Sequence, residues 1–343
     1  MTVSPQPVAR RCGPWHACLA RLARAVPLLI ALAGLAGCAG TSSIAQLPDA
    51  WPARVELSST PFFPQTAHQC GPAALATVLG AAGHPVEPSA LTPEVYLPGR
   101  EGSLQVELVA AARARGLLPL ETGPALEDLL AEVVAGRPVL VLQRLGAGPW
   151  PSWHYAVVIG YDRPRQRVVL RSGTDERLEQ RAAVFEATWA RGGRWAIVML
   201  DPGQLPARPE LGRYMRAAAE LERQPGRAAE AAYRAAAGQW PAAPLPALGL
   251  GNVAAAAGDW REAERWFRRA WEADPGSAAA LNNRAEALRR LGCHVAASRL
   301  LRDGIERVAV DDPLRTALMA TADSLVGVPA APEPASCREF TVH

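Results

Sequence analysis

Pro61-Phe62-Phe63-Pro64-Gln65-Thr66-Ala67-His68-Gln69-Cys70-Gly71-Pro72-Ala73-Ala74-Leu75 puts a cysteine at the mouth of a helix. From Gly71 to Ala82 the residues form a continuous helical stretch, with Leu75, Val78 and Leu79 on one face and Gly83 just past its end. The positive end of a helix dipole favours a thiolate at that entrance, and the thiolate is the nucleophilic form of cysteine. Gly71 permits close backbone approach, and Pro72 is tolerated because a first-turn amide has no helical partner. Such a thiol is set up for attack once a base is close by.

Trp153-His154-Tyr155-Ala156-Val157-Val158-Ile159-Gly160-Tyr161-Asp162 supplies that base. His154 opens an apolar strand, a rigid mount for an imidazole, and meets Cys70 only through the fold. Trp150, Trp153, Trp189 and Trp195 either wall the resulting cleft or fill the core. No closely spaced Cys/His pair of the zinc type is present, so neither a metal nor a cofactor is expected.

Together, Gln-x4-Cys-Gly-Pro-Ala and His-Tyr-x-Val-Val-x-Gly-Tyr-Asp resemble the papain-like peptidases that process the double-glycine leaders of bacteriocins. The resemblance is closer still to their lipoprotein relatives with a tetratricopeptide tail. It covers residues 57–203 and implies a Cys70 nucleophile, a His154 base and an oxyanion hole formed by a glutamine and the Cys70 amide. Gln65 is the candidate glutamine, since donors aimed at developing negative charge supply much of acyl-transfer catalysis. The leader peptidases carry an aspartate at the end of the strand after the histidine, to orient the imidazole. Here Ser172 occupies that place, with Asp175 three residues on and Asp162 nearer the preceding turn, so the orienting residue is either Ser172 or Asp175.

Around these motifs, Ser103 to Arg115 and Leu126 to Ala135 read as amphipathic helices stopped by Gly116 and Gly136. After Pro138 come β-rich runs at Val139–Gln143, His154–Tyr161, Arg167–Arg171 and Arg194–Leu200, with Asp162-Arg163-Pro164-Arg165 as the turn of an antiparallel hairpin. Helices first and strands second predict an α+β papain-like domain closed by Asp201-Pro202-Gly203.

From 204 to 327 the chain is helical and Ala- and Arg-rich, and Pro241 and Pro275 stand 34 residues apart. Leu250, Gly251, Gly258, Trp260, Ala263, Phe267 and Ala270 resemble the tetratricopeptide pattern, with weaker flanking repeats at 210–243 and 278–311. An all-α solenoid is the expectation, with Gly251 and Ala263 allowing close helix approach and Phe267 and Trp260 filling the space. Residues 328–343 read as a flexible tail.

At the start, arginines precede an apolar run from Ala25 to Leu35, too short to span a bilayer, then the small residues Ala36 and Gly37. Leu35-Ala36-Gly37-Cys38 resembles the bacterial lipoprotein box, which implies removal of a signal peptide at 1–37 and lipidation, palmitate included, at Cys38. Residues 38–56 read as a tether. Ala39 after Cys38 implies the outer membrane, periplasmic face. Cys12 and Cys18 leave with the signal, so Cys70, Cys293 and Cys337 remain. In an oxidising compartment that odd set predicts one pair, Cys293 with Cys337, and one free thiol.

Half the residues (49%) are hydrophobic and 20% are charged, which excludes global disorder. The formal net charge is +3, but Arg10, Arg11, Arg21 and Arg24 in the signal contribute four positive charges, so the mature chain is near neutral and gives no reason to expect nucleic-acid binding. No stretch reads as a P-loop, so the chain itself is not expected to drive transport. The sequence therefore points to a lipid-anchored envelope cysteine peptidase that cleaves a peptide or protein through a thioester, its repeats recruiting the substrate or a partner protein. The competing reading is an inactive papain-like adaptor that binds a partner. Related acyl transfer on the same scaffold is a third.

Overall fold

The computed structural model describes residues 43–65, 69–146, 152–224, 226–325 and 334–340. The signal segment, Cys38, His68, Trp150 and most of the tail lie outside the described residues.

Among the described residues seven strands form one antiparallel sheet: β1 (Arg54–Glu56), β2 (Leu118–Glu121), β3 (Val139–Leu145), β4 (Ser152–Asp162), β5 (Arg167–Ser172), β6 (Asp175–Arg181) and β7 (Ala196–Leu200). The order is β2-β7-β3-β4-β5-β6, and β1 pairs with the far end of β4, Glu56 opposite Gly160. The Asp162–Arg165 turn joins β4 to β5 as an antiparallel hairpin, as predicted.

Helices cover both faces. In the peptidase-like half these are α1 (Cys70–Ala81), α2 (Pro88–Val95), α3 (Gln105–Ala114), α4 (Leu126–Val134) and α5 (Ala182–Arg191). Alternation along β4 explains the layering, because successive side chains of a strand point to opposite faces. Tyr155, Val157 and Ile159 pack with Leu75, Val78, Leu79 and Leu108 of α1 and α3. Ala156 and Val158 pack with Leu129, Leu130, Phe185 and Trp189 of α4 and α5.

The structure corrects three expectations of organisation. Helices do not simply precede strands: β2 falls between α3 and α4, and α5 between β6 and β7. β2 contains Pro119, which an edge strand accommodates, and β6 reads Asp-Glu-Arg-Leu-Glu-Gln-Arg, too polar to announce itself.

The predicted tether at 38–56 belongs to the domain from residue 43 onward. Ile44 and Leu47 are buried against α4 and α5, and Tyr161 donates to the Pro52 carbonyl at 2.7 Å. The cause is the length of β4, which outruns β3 and leaves an edge that β1 fills.

The tail is not loose throughout. Cys293 and Cys337 form the predicted disulfide, with Cα atoms 5.4 Å apart, and Phe340 is buried beside them. Glu339 pairs with Arg261.

The C-terminal half is helical: α6 (Leu211–Ala219), α7 (Ala228–Gln239), α8 (Pro244–Ala256), α9 (Trp260–Ala273), α10 (Ala278–Arg290), α11 (His294–Ile305) and α12 (Arg315–Ser324). The starts of α8 and α10, and of α9 and α11, repeat the spacing of Pro241 and Pro275. Asp259 caps α9 by accepting from the Glu262 amide at 2.9 Å, and Ser277 caps α10. At Gly251 a Cβ would fall 2.3 Å from the Phe267 ring, so only glycine lets α8 and α9 pack this closely. Fully buried Glu264 and buried Arg284 bond at 3.0 Å between α9 and α10.

This half shares a core with the sheet. Leu118 and Leu120 of edge strand β2, with Val198 and Leu200 of β7, pack against Tyr214, Ala217 and Ala218 of α6 and Tyr233 of α7. The Tyr214 hydroxyl also donates to the Pro202 and Gln204 carbonyls at 3.0 Å, which fixes the crossing between the halves.

Candidate active site

Cys70 is the first residue of α1, half-buried, and the only free cysteine among the described residues. From Gly71 to Leu79 the helix is buried throughout, so its first turn cannot shift without disturbing the core. Gly71 is required by contact: a Cβ there would lie 2.2 Å from Ser103 Oγ. That hydroxyl is itself buried and has no hydrogen-bond partner among the described residues.

His154 lies near the start of β4, opposite Gln143 of β3. Its Nε2 stands 2.8 Å from Ser172 Oγ at the end of β5. Burial pushes the imidazole below its ordinary value, which favours the neutral, proton-accepting form. With Nε2 engaged by Ser172, Nδ1 is the ring nitrogen left for another partner.

Cys70, His154 and Gln65 line one open cavity of about 830 Å³, together with Ser103, Tyr155 and Gly173. The segment carrying Gln65 is held by its backbone, the Gln65 N–H donating to the Gly173 carbonyl at 3.0 Å. Tyr155 spans the floor, donating to the Ser103 carbonyl at 3.1 Å. Burial first, and then the Cys70 sulfur, push its phenol far above the ordinary range.

The structure thus brings Cys70, His154, Gln65 and Ser172 together and leaves the alternatives outside. Asp175 is exposed at the start of β6, and the His154 bond goes to Ser172. Asp162 sits at the opposite end of β4, paired with Arg54 at 2.9 Å. Gln69 is exposed as the residue before the helix. Of the tryptophans, Trp153 is half-exposed on the cavity, Trp195 meets Tyr155 edge-on, and Trp189 is buried in the core. Among the described residues no cluster of three metal-ligating side chains occurs.

One group that sequence reasoning passed over is Arg171, 6% exposed and next to Ser172. Its signal was a charge ending the apolar run Val168-Val169-Leu170.

A thiol at a helix entrance, an imidazole on a neighbouring strand and an amide-bearing loop around one cleft are the parts of a cysteine acyl-transfer site. Residues 58–197 match the Peptidase_C39 like family. The match supports a cysteine-peptidase fold for this C39-like region, with a peptide or protein as the kind of substrate. A protein described as a C39-like peptidase from Bacillus anthracis is 22% identical, over 43% of this chain and 97% of its own, with a TM-score of 0.36. The peptidase domain of Streptococcus ComA, a bifunctional ABC transporter of a quorum-sensing pathway, is 20% identical over 41% of this chain and 98% of its own, with a TM-score of 0.33. No curated protein matches the chain.

Proposed function

We propose that this protein is a lipid-anchored cysteine peptidase of the bacterial cell envelope, held by Cys38 at the periplasmic face of the outer membrane. Cys70 is its nucleophile. The sulfur attacks the scissile carbonyl while His154 accepts the thiol proton, and the amine leaves with that proton, giving a thioester on Cys70 that water then cleaves. Gln65 and the Cys70 amide receive the oxyanion, and Ser172 orients the imidazole through Nε2. The helices from 204 to 327 form tetratricopeptide-like repeats that recruit the substrate or a partner protein.

The observation that carries this reading is the shared cavity, which brings His154 of a distant strand to the stretch that carries both Gln65 and Cys70. The test is carboxamidomethylation of Cys70 by iodoacetamide between pH 5 and 9, in the full chain and in His154→Ala. Loss of His154 slows labelling near neutral pH by at least about tenfold if the imidazole activates the sulfur. Equal rates at every pH reject the peptidase.

Ser172 in the place of a carboxylate favours a second reading, an adaptor of the same architecture that binds a partner without turnover. That reading predicts equal labelling rates together with retained partner capture.

A further inference from the structure

We infer that Arg171 is a positioning residue for this site: it clamps the segment that carries Gln65 onto the hairpin that carries Ser172. The inference rests on the function proposed above.

Arg171 lies in β5 beside Ser172. One terminal nitrogen of its guanidinium donates to the Glu176 carbonyl at 2.5 Å, across the β5–β6 hairpin. The other donates to the carbonyls of Ser58 at 3.0 Å and Thr60 at 2.9 Å. Residues 58–60 open the stretch that runs to Gln65, and the far end of that stretch is tied to Gly173 by the Gln65 amide. The clamp and that amide bond therefore bracket Ser172 from both sides.

A charge in this position needs a reason. Taking a guanidinium out of water is costly, and a buried ion is weak support for stability by itself. Among the described residues its ion pair is a long one, 3.9 Å to the 68% exposed Glu176, and the nearby Glu56 carboxylate is bonded to Arg177 instead. Its Nε has no hydrogen-bond partner among the described residues. An apolar residue would suit the strand better. What arginine provides is a rigid fork of donors that reaches three carbonyls on two chain segments at once.

The consequence is chemical. Oxyanion donors work only when held in place before the charge develops, whereas alkylation of a thiol needs no oxyanion donor. Loosening the clamp should therefore separate two reactions of the same sulfur. With p-nitrophenyl acetate the Cys70 sulfur displaces p-nitrophenolate, leaving an acetyl thioester on Cys70 and its former proton on His154. With iodoacetamide it displaces iodide.

The experiment compares the full chain with Arg171→Gln and with the milder Arg171→Lys, which keeps the charge but loses the fork. In Arg171→Gln the acylation burst is expected to slow about 30-fold or more, less than the roughly 100- to 1000-fold for removing an oxyanion donor outright because Gln65 is loosened, not lost. Iodoacetamide labelling should change by less than about threefold, and hydrogen exchange at the Gln65 amide should quicken about tenfold or more. Arg171→Lys should lie between, and it carries the test if the glutamine variant does not fold. Parallel loss of acylation and alkylation, or unchanged exchange at Gln65, overturns the inference. A wild-type chain without an acylation burst, whose labelling ignores His154→Ala, rejects the peptidase instead, and the Gln65 amide then decides the clamp alone.

Discussion

Ser172 Oγ lies 2.8 Å from His154 Nε2, so the hydrogen-bond partner of the imidazole is a neutral hydroxyl and not a carboxylate. A hydroxyl can donate to or accept from Nε2, so it holds the ring's orientation without selecting its tautomer, and it contributes no negative charge to an imidazolium. Ser172→Ala is therefore expected to slow Cys70 acylation by about tenfold, the equivalent of one hydrogen bond of about 1.4 kcal/mol. Burst kinetics with p-nitrophenyl acetate measure it, and an unchanged rate would mean the ring is held by something else.

The pH dependence follows from the same environment. A general base must be neutral to act, and burial lowers the His154 pKa, so the acidic limb of the acylation profile should fall below the ordinary histidine value of about 6.5. Ser172→Asp would add a carboxylate that favours the imidazolium and should move that limb upward. The same sign governs stability. The neutral buried imidazole supports folding above about pH 6.5, and that support is lost as pH falls through the lowered folded-state value. A limb above 6.5 in the wild type contradicts the burial argument.

Gly71 tests the packing behind the nucleophile. In Gly71→Ala the new methyl meets Ser103 Oγ at 2.2 Å and Ser103 Cβ at 2.5 Å, an overpacking that costs about 1–3 kcal/mol. Urea denaturation should show the loss, and Ser103→Gly in the same chain should restore most of it. A Gly71→Ala chain as stable as wild type would show that the first turn of α1 can give way.

The disulfide closes a loop of 44 residues, so Cys337→Ser should lower stability by about 2–4 kcal/mol. Thermal melts with and without reductant would read this. Cys70 labelling should not change, because Cys293 and Cys337 sit in the helical half.

Much of this was legible in the sequence where a single physical signal dominated. The apolar run from Tyr155 to Tyr161 could only be a buried strand, and Cys70-Gly71-Pro72 could only open a helix. Where two forces compete the sequence falls silent. β6 is mostly charged because it is an edge, and β1 is three residues long because it fills a gap left by β4. Choosing between Ser172 and Asp175 needed the path of the chain. Gly173, at φ +62°, turns it so that Asp175 begins an exposed strand while Ser172 stays beneath the imidazole. Arg171 was visible as a charge at the end of an apolar run, but its acceptors are the carbonyls of residues 58 and 60, which no pattern of side chains reveals.

Both rims of the sheet are guarded against self-association, by different means. β6 repels a neighbouring strand with Asp175, Glu176, Arg177, Glu179 and Arg181, whereas β2 has only Glu121 and relies on the roof laid over it by α6. A fragment ending at Gly203 would lose that roof and bare Leu118, Leu120 and Leu200 beside unpaired backbone. Such a fragment should clump in solution even where its own core folds, so the helices serve the colloidal good behaviour of the sheet they cover.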